Sequence, residues 1–82
     1  MDLAKRLQAL GNALDKFDPN DIVPWQTAAV FNALLEEAKK QLPSDPVVSV
    51  IEPVTGDENY SNEQAGSMRA LVGQIYEAAQ GR

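Results

Sequence analysis

Three stretches of this chain repeat apolar residues every third or fourth position, the surface period of an α-helix. That pattern constrains the fold most, because each stretch has one oily stripe to bury and little besides the other stripes to bury it against. The first covers about residues 2–17, where Leu3, Leu7, Leu10, Leu14 and Phe17 share one narrow face. Asp2 and Lys16 suit the two ends of the helix dipole. Gly11 costs about 1 kcal/mol relative to alanine, and it borders the leucine stripe, where a neighbouring helix can come close. The stripe lasts about two heptads, where a coiled coil wants about three to four, so it reads as core packing. Asp18-Pro19-Asn20-Asp21 ends the helix, since a proline pushes the preceding residue out of the helical region.

The second helix is predicted over 24–42, with Pro24 at the first helical position. Thr27, Ala28, Val30, Phe31, Leu34, Leu35, Ala38 and Leu42 form a broad face, as expected of an element that touches two neighbours. Glu36 and Lys40 pair across one turn on the opposite side, and Pro43, Asp45 and Pro46 stop the helix. The third is predicted over 62–80. Ser61 and Gln64 have the spacing of a capping box at its start, and Glu63 in the first turn favours the dipole. Ala65, Met68, Leu71, Val72, Ile75, Tyr76 and Ala79 are its apolar face. The Tyr60 ring is expected to cover the helix start, and Gly81 and Arg82 to fray.

The intervening segment reads both ways. Val47, Val48, Val50, Ile51 and Val54 favour a strand by β-branching, yet Asp45-Pro46 is also an N-cap followed by a proline, with Pro53 as a stop. A single strand makes no sheet without a partner chain, so a short helix or irregular extended segment is expected at 46–54. Thr55 to Asn59 is a polar turn. The expected architecture is therefore one all-α domain over residues 1–82, a small bundle of three main helices.

The chemistry such a bundle can support is narrow. The 82 residues include no cysteine and no histidine. Disulfides and thiolate metal sites are thereby excluded, as is the usual general base near neutral pH. Net charge is −5, and the seven basic residues are dispersed, which disfavours direct nucleic-acid binding. No apolar run has the length of a membrane span or the form of a signal peptide, so a cytoplasmic location without membrane contact is expected.

Two groups of residues stand out as candidate sites. The acidic turns around Asp15, Asp18 and Asp21 and around Asp57 and Glu58 would form one patch if the 44–56 segment ran back along the bundle. A calcium loop is not among the readings: counted from Asp18, the sixth position is Val23 and the twelfth Ala29, where glycine and glutamate are required. Gly66, Ala70 and Gly73 make a stripe of small residues on the third helix, open to close approach of another backbone. Trp25, in the first turn of the second helix, is the aromatic anchor candidate for a partner contact.

No catalytic, cofactor or metal residue is expected, since no serine has a histidine base and no glycine loop cradles phosphate. The leading expectation is a non-catalytic protein–protein interaction or oligomerisation module, contacting a protein partner or itself and taking no small-molecule substrate. A second is an acidic inhibitor occupying the basic, nucleic-acid-binding surface of another protein. A third, an enzyme working with carboxylates alone, would need strongly tuned burial of those groups.

Overall fold

The computed structural model describes residues 2–81. Its elements run α1 (Leu3–Leu14), β1 (Ile22–Pro24), α2 (Trp25–Gln41), a 3-10 turn (Val48–Val50), β2 (Tyr60–Gln64) and α3 (Ala65–Ala79). Three helices are present, but the all-α expectation is overturned. β1 and β2 pair as a two-stranded antiparallel ribbon, with Ile22 opposite Gln64 and Pro24 opposite Tyr60. The longer strand bulges, because four steps along β2 match two along β1.

The ribbon explains why the helices are shorter than their apolar patterns. Each strand runs directly into a helix, and neither helix start has a side-chain cap. The first free amides are bonded by carbonyls from the opposite side of the ribbon instead. Trp25 donates to the Asn59 carbonyl at 3.1 Å, Ala65 to Asp21 at 2.8 Å and Gly66 to Pro19 at 2.9 Å. The open amides that a cap normally satisfies thus find backbone partners. Pro24 ends a strand and holds the N-cap position rather than the first helical one.

The predicted capping box at Ser61 and Gln64 is absent for the same reason. Ser61 lies inside β2, 3% exposed. Its hydroxyl donates to the Val23 carbonyl at 2.8 Å and accepts from the Glu63 amide at 3.2 Å. The Tyr60 ring does not cover the helix start; the residue is 57% exposed on the ribbon. At the other end of α3, Gly81 takes a φ of +79° and its amide donates to Ala78, a left-handed closure open to glycine. Arg82 lies outside the described residues.

α1 begins at the Asp2 cap, whose carboxylate accepts the Lys5 amide at 3.3 Å. It ends at Leu14 rather than at 17, because Lys16 and Phe17 bond three residues back, to Ala13 and Leu14, in a tightened last turn. Its stripe of Leu3, Leu7, Leu10 and Leu14 is buried, packing more extensively on α3 than on α2. The core also takes Phe31 and Leu35 from α2, and Met68, Val72 and Ile75 from α3.

The 46–54 segment carries the 3-10 turn and continues without regular structure. The Asp45 carboxylate accepts the Val47 and Val48 amides at 2.9 and 3.0 Å, an N-cap in the sense the sequence suggests. Val48, Ile51 and Val54 turn inward. Asn32 on α2 fixes the end of the segment, donating to the Val54 carbonyl at 2.9 Å and accepting its amide at 2.8 Å. The chain then folds into a short hairpin, with Gly56 bridged to Ser61.

Candidate docking groove

The geometry gives the residues that the sequence grouped different partners. Asp15, at the C-cap of α1, meets Arg69 on α3, Oδ1 to Nε 3.0 Å. The guanidinium reaches it by crossing Gly11, where a Cβ would stand 3.0 Å from the Arg69 Cζ. The close neighbour expected at Gly11 is thus an arginine side chain. Asp18 accepts the Asn20 amide at 2.9 Å. Asp57 accepts the Asn59 and Tyr60 amides, each at 2.8 Å, and the Tyr60 bond first and the Asn59 bond second hold its carboxyl below the usual range. Both carboxylates thus stabilise their own turns.

The two acidic turns flank the two ends of the ribbon. Asp21 leads into β1 at the Gln64 end of the ribbon, whereas Asp57 and Glu58 precede β2 at the Tyr60 end. The two steps of β1 between those ends span roughly 7 Å at about 3.3 Å per residue, the extra residues of β2 being taken up in its bulge. Among the described residues no group of three acids is placed to hold a metal ion.

The small-residue stripe on α3 divides as well. Gly66 is in use within the chain: a Cβ there would lie 3.1 Å from the Pro19 Cβ and 3.2 Å from its carbonyl oxygen. Gly73 lines a shallow groove of about 300 Å³ between α1 and α3, with Arg69 alongside. Ala70 is exposed. Trp25 is partly buried and packs against the core at the start of α2.

A further open concavity lies elsewhere. Between α1 and α2 runs a groove of about 690 Å³ lined by Arg6, Ala9, Leu10 and Ala13 from one helix and Gln26, Thr27, Val30, Ala33 and Leu34 from the other. It exists because α1 leans onto α3, leaving its other flank and the near side of α2 uncovered. Val30, assigned by its spacing to the covered face, is 49% exposed here. Ala9 and Ala13 were unremarkable in sequence; their four-residue spacing beside the leucine stripe is the signal that marks them. The floor is small and aliphatic and carries no nucleophile or titratable base besides the Thr27 hydroxyl, so what it offers is apolar contact rather than chemistry.

No protein-family model, curated protein or solved structure matches the chain. Among the described residues, no helix is long and apolar enough to cross a membrane.

Proposed function

We propose that this chain is a non-catalytic interaction module that receives an apolar face of a protein partner in the α1–α2 groove, in a cytoplasmic setting. The observation that carries this reading is the groove itself: apolar side chains from two helices line an open concavity, with Val30 half in water. A monomer gains nothing by holding such a side chain out of its core, whereas a partner that covers it removes apolar area from water at about 25 cal/mol per Å². The residue inventory supports docking over catalysis, since a chain without histidine or cysteine has few groups that react near neutral pH. The inhibitor reading draws less support, because Asp15 is engaged by Arg69 and Asp18 and Asp57 by amides of their own turns.

The test is nuclear magnetic resonance of labelled protein titrated with a panel of amphipathic helical peptides. Amide shifts are expected to concentrate at Ala9, Ala13, Val30 and Ala33, and Val30→Asp is expected to abolish them while the far-ultraviolet spectrum stays unchanged. Shifts clustered on another surface, or none with any peptide, would sink the reading.

A further inference from the structure

The fold also leaves the outer face of the ribbon uncovered, and none of the residues on that face lines the α1–α2 groove. Residues along a strand alternate between its two faces, and cross-strand partners share one. Val23 and Ser61 are buried and make the inner face, with the Ser61 hydroxyl on the Val23 carbonyl. Ile22 and Pro24 therefore point the other way, together with their partners Gln64 and Tyr60. Burial agrees: Ile22 is 43% exposed and Tyr60 57%, with Pro24 partly buried beside them. Neither Ile22 nor Tyr60 packs against the core.

The charge around this face is one-sided. Residues 15–25 and 55–69 form the ribbon with the turns and helix starts bonded to it, Gly66 donating to Pro19, Ala65 to Asp21 and Trp25 to Asn59. They hold six acids, Asp15, Asp18, Asp21, Asp57, Glu58 and Glu63, against two bases, Lys16 and Arg69, a net of −4 out of the chain's −5. Asp15 and Arg69 cancel as an ion pair. Amide donors hold Asp18 and Asp57 without neutralising them. Asp21 and Glu58 are exposed, and neither is in an ion pair among the described residues. Asp21 adjoins Ile22 in the chain, and an Asp57 carboxylate oxygen lies 2.8 Å from the Tyr60 amide nitrogen, so carboxylates stand at both ends of the apolar face.

The apolar face supplies the contact, and the carboxylates set the sign of what covers it. We propose that the outer face of the ribbon docks a basic segment of a protein partner, with an apolar side chain over Ile22 and Pro24 and an arginine stacked on the Tyr60 ring at the Asp57–Glu58 turn. Arginine suits that place because its planar cation stacks on an aromatic face and its fork of donors meets carboxylates. Nucleic acid and anionic lipid surfaces are repelled by the same charge. A second copy fits poorly, since a symmetric dimer through this face sets −4 against −4.

The probes are two fluorescent peptides with a central pair of leucines, flanked on both sides by arginine in one and by glutamate in the other. Anisotropy titrations of the full chain are expected to show the arginine peptide binding about tenfold tighter, with the gap narrowing as salt is raised to about 0.5 M. Tyr60→Ala is expected to weaken the arginine peptide about fivefold, and the charge-only double variant D21N/E58Q about threefold. Both variants change exposed side chains and are expected to keep the parent's far-ultraviolet spectrum. Val30→Asp is expected to leave this binding unchanged, so failure of the groove and failure of the ribbon face read out separately. Binding of neither peptide, equal binding of both, or preference for the glutamate peptide overturns the proposal. So does arginine-peptide binding that is unaffected by either Tyr60→Ala or D21N/E58Q. A concentration-dependent dimer that Tyr60→Ala dissolves assigns the face to a second copy and overturns it as well.

Discussion

Gly56 and Gly11 both sit in crowded places, but what crowds them differs, and substitutions there have different consequences. A Cβ at Gly56 would collide with the Tyr60 carbonyl and stand 2.6 Å from the Ser61 Cα. Both are backbone atoms held by the hairpin, so nothing can yield. Gly56→Ala is expected to destabilise by about 2–3 kcal/mol in urea unfolding. At Gly11 the obstacle is the far end of Arg69, a flexible side chain that is 41% exposed. There Gly11→Ala regains about 1 kcal/mol of helix propensity and loses an exposed ion pair worth about 0–1 kcal/mol. Its stability is expected to stay within about 1 kcal/mol of the parent. Asp57 gives the pH-dependent case. Its native carboxyl titrates below the ordinary value because two amides favour the charged form. Its contribution is therefore complete above about pH 3.9, the unfolded value, and disappears as pH falls through the lower native value. A carbon-detected titration of the Asp57 carboxyl should place its midpoint below the ordinary aspartate value of 3.8.

The ribbon and the 46–54 segment are held by single side chains that reach across elements. Ser61 bonds β1 to β2, whereas Gln64 is exposed and caps nothing. Ser61→Ala is accordingly expected to cost about 1–2 kcal/mol by leaving the Val23 carbonyl unpaired, and Gln64→Ala less than about 0.5 kcal/mol. A true capping box would make both costly, so the pair of thermal melts separates the two geometries. Asn32 does for the 46–54 segment what a ladder rung does for a strand, satisfying both backbone groups of Val54. Asn32→Ala should cost about 2–3 kcal/mol and raise amide exchange at Val54 before the helices open. The long apolar periods of all three helices were legible in sequence. The strands were not, since the three residues of β1 carry too short a pattern and the Ser61–Gln64 spacing mimics a cap.

At the scale of the whole molecule, the dimensions are those expected of one compact copy of this length. An 8.9 kDa protein is expected to expose about 4,800 Å², and this one exposes 5006 Å². A chain of this length should have a radius of gyration of about 11.7 Å, and the Cα atoms give 11.9 Å. Sedimentation equilibrium at micromolar concentration is accordingly expected to return a single monomeric species. A dimer under those conditions would mean that the α1–α2 groove is an interface between copies.

The periodic leucines, valines and alanines determined by themselves that three helices form and which stripe of α1 goes inward, because a 3.6-residue repeat leaves a buried stripe no other regular arrangement. Tertiary structure decided what those stripes face. Which flank of α1 meets α3 and which is left open beside Val30 depends on how the three helices lean together. So does the pairing of Ile22–Pro24 with Tyr60–Gln64, since residues about 40 positions apart satisfy each other's backbone groups only once the helices between them have packed.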